Sequence, residues 1–130
     1  MDHEAALYLP DGDGYVGTEH TVGGWYPDMQ SSGAVLALLG HVLHAVPTLT
    51  EMSLARLTVD LVNPVPTATP LWVDHRIERE GKKIQVVELT ARTEAAIHVR
   101  ARALRIRDAD IDHAPRPAST TDDAELLCLL

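Results

Sequence analysis

The order of apolar and polar positions divides the chain into one helical stretch and several strand-like runs. Between residues 31 and 46 apolar side chains recur at helical spacing, at Val35, Leu38, Leu39, Val42 and Val46. Ser31 or Ser32 can cap the first turn, and Pro47 ends the helix because the residue before a proline is pushed out of helical geometry. The pattern predicts one helix over residues 31–46 and no second helix of that quality.

The part of the chain after the helix predicts strands. Apolar and polar residues alternate there, as in strands with one buried face, in four runs: residues 54–62, 71–79, 83–92 and 96–107. In the last run the apolar phase changes before Leu104, which predicts a β-bulge near Ala103. Residues 15–22 alternate loosely and predict a first strand. A long helix followed by an antiparallel meander indicates an α+β fold, a curved antiparallel sheet wrapped around one central helix.

Length and composition fit one globular domain. The chain has 130 residues, of which 45% are hydrophobic and 23% charged, and this excludes a disordered or fibrous class. Residues 1–14 predict an N-terminal segment leading into the domain and end in the turn formers Pro10-Asp-Gly-Asp-Gly14. The domain itself is predicted over residues 15–108, and residues 109–130 have the composition of a flexible C-terminal tail.

Charge and motifs exclude several function classes. The formal net charge of −8 argues against nucleic-acid binding. No apolar run is long enough for a signal peptide or a membrane span, so we expect a cytoplasmic protein with no membrane partner. Cys128 is the only cysteine, and the seven histidines lack ligand-motif spacing, so we predict no metal. With no nucleotide-binding loop we also predict no cofactor.

Three features resemble the thioesterase-like hotdog superfamily, and its type II, TesB-like acyl-CoA thioesterases in particular. They are the helix, the phrase Ala55-Arg-Leu-Thr-Val-Asp-Leu-Val-Asn-Pro-Val-Pro66, and the turn and strand Arg79-Glu-Gly-Lys-Lys-Ile-Gln-Val-Val-Glu88. The resemblance covers about residues 15–108. It implies a hotdog fold and acyl thioesters of coenzyme A or an acyl carrier protein, bound at a subunit interface. Members of that branch commonly carry two such units, so the resemblance implies a homodimer or higher oligomer here.

The catalytic residues of these relatives do not carry over. The TesB-like triad has an Asp, a hydroxyl residue and a Gln, but the matching Asp position holds Arg56 and the Gln position falls near residues 101–103. Other hotdog thioesterases place a carboxylate inside the helix, where this chain has Gly40 or His41. A third arrangement uses an Asp in the loop before the helix, and Asp28 can fill that role.

Candidate catalytic residues are therefore Asp28 and His41. Asp28 can orient or deprotonate a water, or it can simply stabilise the positive end of the helix. His41 can act as a base near neutral pH, although a helical histidine is more often a satisfied, partly buried residue.

Candidate substrate-binding residues surround the start of the helix. Free N–H groups there can hold a thioester oxygen, or they can be occupied by capping alone. Asn63 can contact a ligand or shape the turn before Pro64. We assign this role to Trp25, Tyr26, Ser31, Ser32, Gly33 and Asn63.

The last strand carries a basic stripe, Arg100, Arg102, Arg105 and Arg107. It can contact the phosphates of coenzyme A, or it can form ion pairs with acidic residues of adjacent strands, and we favour the ion pairs.

Two classes of function follow. The favoured one is an enzyme that processes acyl thioesters, most simply a thioesterase, with isomerisation, dehydration or cyclisation in a biosynthetic pathway as related chemistry. The alternative is a non-catalytic ligand-binding hotdog subunit. The absent triad favours the binding subunit, whereas the polar groups around the start of the helix favour the enzyme.

Overall fold

The computed structural model describes residues 6–110. In chain order these residues form strands β1 and β2, a short 3₁₀ turn, helix α1 and strands β3 to β6. Their bounds are Tyr8–Asp11 (β1), Gly14–Gly17 (β2), Glu19–Thr21 (3₁₀ turn), Ser32–Ala45 (α1), Met52–Leu61 (β3), Trp72–Glu80 (β4), Ile84–Arg92 (β5) and Ile97–Arg107 (β6). Most of the predicted C-terminal tail lies outside the described residues.

Strands β3 to β6 form one antiparallel sheet in the order β3-β6-β5-β4. Strands β1 and β2 form a separate hairpin. Tyr15 joins this hairpin to the sheet, because Tyr15 and Leu71 exchange two backbone hydrogen bonds of 2.8 Å. One helix packed against a curved antiparallel sheet confirms the predicted fold class. The four predicted strands after the helix agree with β3 to β6 to within two residues at each end.

The core lies between α1 and the inner face of the sheet, the face that contacts the helix. Strand β5 alternates strictly, with every second side chain buried. Burial of these apolar side chains is the main term that stabilises the fold. The buried residues include Val35, Leu38, Leu39 and Leu43 of α1, Val87, Leu89 and Ala91 of β5, and Val99, Ala101 and Ala103 of β6.

The bulge predicted near Ala103 is wrong. Ala103 pairs in register with Leu57 of β3 and Val87 of β5. The register shift between β3 and β6 lies on β3 instead, between Leu54 and Arg56. The shift in the alternation of apolar residues along β6, before Leu104, therefore has another physical cause.

That cause is Arg105, which lies on the inner face of β6 and binds the end of the helix. Its Nη1 donates to the carbonyl oxygens of Leu43 and Val46, at 3.1 and 3.0 Å, and to Oε1 of the buried Gln85 at 3.2 Å. The last carbonyls of a helix have no intrahelical partner and must find one elsewhere. The inward arginine leaves its apolar neighbour Leu104 on the outer face, the face of the sheet away from α1.

The N-terminal part differs from the predicted first strand over residues 15–22. Strand β2 ends at Gly17, because Thr18 caps the 3₁₀ turn: its Oγ1 accepts from His20 N at 3.3 Å. Within the predicted N-terminal segment, strand β1 pairs with β2 across a turn where Gly12 has φ +58°. A glycine adopts that backbone without the steric cost of a side chain.

Within residues 6–110, no helix has the length and apolar character needed to cross a bilayer.

Candidate active site

A cleft of about 510 Å³ opens at the start of helix α1. Two chain segments form its walls: the loop that enters the helix and the proline-rich turn after β3. The lining residues are Gly23, Gly24, Trp25, Tyr26, Met29, Gln30, Ser31, Ser32, Gly33, Val35, Leu61, Asn63, Pro64 and Val65. All six predicted substrate-binding residues lie in this lining. Its volume is in the usual range of small-molecule sites.

The helix start presents two free backbone donors. Ser31 is the N-cap: its Oγ accepts from Ala34 N at 3.2 Å, and its own N–H donates to Thr21 O at 2.6 Å. The amides of Ser32 and Gly33 have no hydrogen-bond partner among the described residues. Ser31 thus caps the helix, which was one of the two predicted uses of the helix start. The N–H groups of Ser32 and Gly33 remain available at the positive end of the helix dipole.

The turn of residues 63–66 forms the opposite wall, and Asn63 shapes it. Asn63 Nδ2 donates to Ile97 O at 2.7 Å, and the backbone amides of Val62 and Asn63 both donate to His98 O. The Asn63 side chain therefore has the turn-forming role that the sequence left open beside ligand binding, while Asn63 still lines the cleft.

His98 holds the same turn from the sheet side. This buried side chain contacts Pro64 O through Nδ1 at 2.8 Å and Thr93 Oγ1 through Nε2 at 2.9 Å. Because a carbonyl oxygen only accepts, Nδ1 must carry a proton. The sequence has no local signal for this role, because His98 and Pro64 are 34 positions apart.

Gln30 joins the two walls. Its backbone N–H donates to Val65 O at 2.8 Å, and its Nε2 donates to Pro66 O at 3.0 Å. Tyr8 of β1 donates its hydroxyl to Gln30 Oε1 at 2.5 Å. Burial raises the pKa of the Tyr8 hydroxyl, so it stays protonated as a donor. Sequence reasoning missed both residues, which are 22 positions apart and belong to no motif.

Two aromatic side chains stand at the rim of the cleft. Trp25 is 92% exposed and Tyr26 is 66% exposed. Neighbouring exposed aromatic side chains at the rim of a cleft are typical of sites that contact a ligand or another chain.

Neither predicted catalytic residue is among those that line the cleft. Asp28 is exposed in the loop between Tyr26 and Met29, and its carbonyl oxygen accepts from Thr67 N at 2.9 Å. His41 is an exposed residue of α1, and its ring meets that of Tyr15 edge-on, with centroids 6.1 Å apart. Among the residues lining the cleft in the described part of the chain, none carries a carboxylate or an imidazole.

The basic stripe is partly used in the structure. Arg102 forms an ion pair with Glu78 at 2.9 Å on the outer face, but Glu78 lies on β4, beyond β5, and not on an adjacent strand as predicted. Arg105 binds the end of the helix. Two further outer-face pairs join Arg76 to Glu88 at 2.5 Å and Arg92 to Asp74 at 2.6 Å. In each of these two pairs, the hydrogen bond to the carboxylate raises the pKa of the guanidinium.

Metal-ligating side chains do not cluster in the described part of the chain: no group of three His, Cys, Asp or Glu residues there has the geometry to hold an ion.

Solved structures share this architecture at low sequence identity. A Streptococcus mutans protein solved with acetyl-CoA bound has a TM-score of 0.64 at 12% identity, covering 85% of this chain and 98% of that one. A Thermus thermophilus thioesterase complexed with coenzyme A and Zn has a TM-score of 0.63 at 12% identity, covering 81% and 84%. The Escherichia coli PaaI protein from the phenylacetic acid degradation operon has a TM-score of 0.62 at 13% identity, covering 74% and 70%. At these identities the likeness shows the fold alone.

The family of this protein is identified by its amino-acid sequence. No curated protein sequence matches it significantly. A family match, described as acyl-CoA thioesterase N-terminal domain, covers residues 21–106, which include helix α1, both walls of the cleft and nearly all of the sheet. The chain is therefore a hotdog-fold protein that belongs to the acyl-CoA thioesterase family.

Proposed function

We propose that this protein hydrolyses acyl-CoA thioesters in the cleft at the start of α1. The observation that carries the proposal is that Ser32 and Gly33, whose amides have no partner among the described residues, line a cleft with no charged side chain among its described lining residues. Thioester hydrolysis passes through a tetrahedral intermediate whose oxygen carries negative charge. Backbone N–H groups at a helix start suit that charge, and they act more strongly where water is excluded.

The reaction follows from this placement. A water oxygen attacks the thioester carbonyl carbon, and the carbonyl oxygen becomes an oxyanion that accepts from Ser32 N–H and Gly33 N–H. The intermediate then collapses, the C–S bond breaks, and coenzyme A leaves as a thiolate. A base must take the proton of the attacking water and return it to the leaving sulfur, so that a carboxylic acid and free coenzyme A are released.

Asp28 is our proposed base. It is the nearest carboxylate along the chain to the two donors, and its loop neighbours Tyr26 and Met29 line the cleft. In the single subunit its side chain is exposed, so the proposal requires substrate binding or a second subunit to bring it over the thioester. His41, which packs against Tyr15 instead, is the weaker candidate.

A homodimer is part of this proposal. Strand β3 pairs only with β6 among the described residues, so one edge of the sheet stays open. Exposed apolar side chains accompany this edge: Leu54 is 48% and Leu61 is 55% exposed, and Leu61 also lines the cleft. A two-fold axis through the middle of β3 would pair two copies antiparallel and place the second one against Leu61. The same contact would extend the sheet and enclose the cleft.

Coenzyme A is the carrier that we propose for the acyl group. The family match supports it, and the uncharged cleft suits an acyl chain and the uncharged pantetheine arm. The acyl carrier protein, the TesB-like branch, a biosynthetic role and the cytoplasmic location stay predictions.

Substitution of Ser32 tests the proposed donors directly. Ser32→Pro removes one N–H at the first helical position, where proline is well tolerated. Ser31, with φ −71° and ψ 146°, already has the backbone that a residue before proline prefers. We expect kcat toward acyl-CoA to fall about 10²- to 10³-fold with an unchanged melting temperature.

Ser32→Ala is the matched comparison, because it removes the hydroxyl but keeps the N–H. It should lose far less turnover than Ser32→Pro. Equal losses in the two variants would assign the effect to the hydroxyl and contradict the oxyanion role. A wild-type protein that binds acyl-CoA without consuming it would instead support the alternative, a non-catalytic binding subunit, which fits the lack of a carboxylate or imidazole among the described lining residues.

A further inference from the structure

We infer that Tyr8 and Gln30 are positioning residues, which hold the two walls of the cleft at a fixed separation. The inference rests on the proposed function, because it concerns the same donors. It goes beyond the family match, which begins at residue 21, whereas the hairpin that contributes Tyr8 precedes it.

Gln30 is placed to act on both walls. It directly precedes the N-cap Ser31, so its position sets where the amides of Ser32 and Gly33 lie. Its backbone and side chain also donate to the opposite wall, at Val65 O (2.8 Å) and Pro66 O (3.0 Å). A shift of Gln30 therefore changes both the donors and the wall that faces them.

The hairpin fixes Gln30 at two points. Tyr8 OH donates to Gln30 Oε1 at 2.5 Å, and this bond orients the amide so that its Nε2 points at Pro66 O. Gly17, at the end of β2, lies directly against the same amide. A Cβ at Gly17 would stand 2.7 Å from Thr21 Oγ1 and 3.0 Å from Gln30 Nε2. No side chain fits there unless Thr21 or Gln30 moves.

The contacts have a catalytic consequence. Oxyanion donors act only when they already point at the place where charge develops, and small misplacements reduce the rate strongly. Loosening Gln30 should therefore lower kcat, which depends on alignment in the transition state, and leave KM nearly unchanged because the lining side chains remain. A residue with a purely structural role would lower the melting temperature without this split.

Two variants disturb Gln30 independently. Tyr8→Phe removes the hydroxyl and leaves Gln30 Oε1 without its donor. Gly17→Ala crowds Thr21 Oγ1 and Gln30 Nε2, so that one of them must move. Each has a control of the same chemical type. Tyr15→Phe alters the other strand of the hairpin at a hydroxyl with no hydrogen bond in the described part of the chain. Gly40→Ala adds a methyl group where, apart from the chain neighbours and the helix's own backbone, no described atom lies within 4 Å.

Steady-state kinetics with an acyl-CoA substrate provide the first readout. We expect kcat to fall roughly tenfold in Tyr8→Phe and in Gly17→Ala, with KM within about twofold of wild type. The two controls should keep the wild-type kcat. Wild-type kcat in both Tyr8→Phe and Gly17→Ala, with only a lower melting temperature, would overturn the inference.

Amide NMR signals provide a readout that does not need turnover. Those of Ser32 and Gly33 should shift in Tyr8→Phe and stay in place in Tyr15→Phe. If the wild-type protein hydrolyses no acyl-CoA, the proposed function fails, and these signals still decide whether Tyr8 positions the helix start. Unshifted signals in Tyr8→Phe would overturn the inference on their own.

Discussion

The two ends of helix α1 differ in whether their terminal backbone groups have hydrogen-bond partners. At the C-terminal end, Arg105 donates to the carbonyl oxygens of Leu43 and Val46, and the buried Gln85 holds the guanidinium in turn. At the N-terminal end Ser31 alone caps the helix within the described part of the chain, and the next two residues, Ser32 and Gly33, line the cleft. A helix needs partners at both ends. We call the end bound by Arg105 the sealed end, and the end whose amides stay available to a hydrogen-bond acceptor the open end.

Asp28→Asn, near the open end, should produce the largest effect, a loss of turnover without a loss of stability. If Asp28 takes the proton of the attacking water, turnover should fall by about two to four powers of ten, while fold and ligand affinity persist. Kinetics and calorimetric binding of a non-hydrolysable acyl-CoA analogue measure the two quantities. His41→Ala is the companion variant, and a loss that follows His41 instead would identify it as the base. Unchanged turnover with a lower melting temperature would make Asp28 a stabiliser of the helix end.

Arg105→Met, at the sealed end, should have the opposite result: the protein becomes less stable but keeps its turnover. It removes three hydrogen bonds and leaves buried acceptors unpaired, so we expect a loss of about 2–3 kcal/mol in the free energy of unfolding. Urea denaturation measures this loss. Arg102→Met is the control on the same strand, and its exposed ion pair with Glu78 should cost less than about 1 kcal/mol. Equal losses would break the comparison between the two ends.

The smallest expected effect is a pH dependence of stability caused by the Tyr8 hydroxyl, which lies near the open end. Its pKa is raised in the folded protein, whereas in the unfolded chain the hydroxyl loses its proton near the ordinary value of about 10. Above that pH the unfolded state binds fewer protons, so stability falls, by at most about 1.4 kcal/mol per pH unit for this group. Tyr8→Phe should flatten the decline, measured by urea denaturation at several alkaline pH values. An unchanged slope would contradict it.

Sequence periodicity predicted the framework well, because the framework follows from local patterning. Helix α1 lies within the predicted residues 31–46, and strands β3 to β6 follow the four predicted runs. Helical spacing also predicted the buried face of the helix. Val35, Leu38 and Leu39 pack into the core, whereas Gly33 and Ala37 are exposed.

The contacts around the site could be predicted only in part. Ser31 and its neighbours were found because helix starts have a local signature in the sequence. The contacts Tyr8–Gln30 and His98–Pro64 join residues far apart in the chain, so no local pattern announces them. The β-bulge near Ala103 was predicted wrongly for a related reason. Arg105 is a charged side chain that binds helix carbonyls, so it occupies an inward position where the alternating pattern predicts an apolar residue.

The open edge of β3 has a consequence for how the protein behaves in solution. A ten-residue strand with unpaired backbone groups and exposed leucines is a template for any other extended chain. A subunit that stays single is therefore exposed to edge-to-edge aggregation, and pairing of two copies removes the hazard by occupying the template. If the proposed homodimer forms, mass action favours it at higher protein concentration, so the melting temperature should rise with protein concentration.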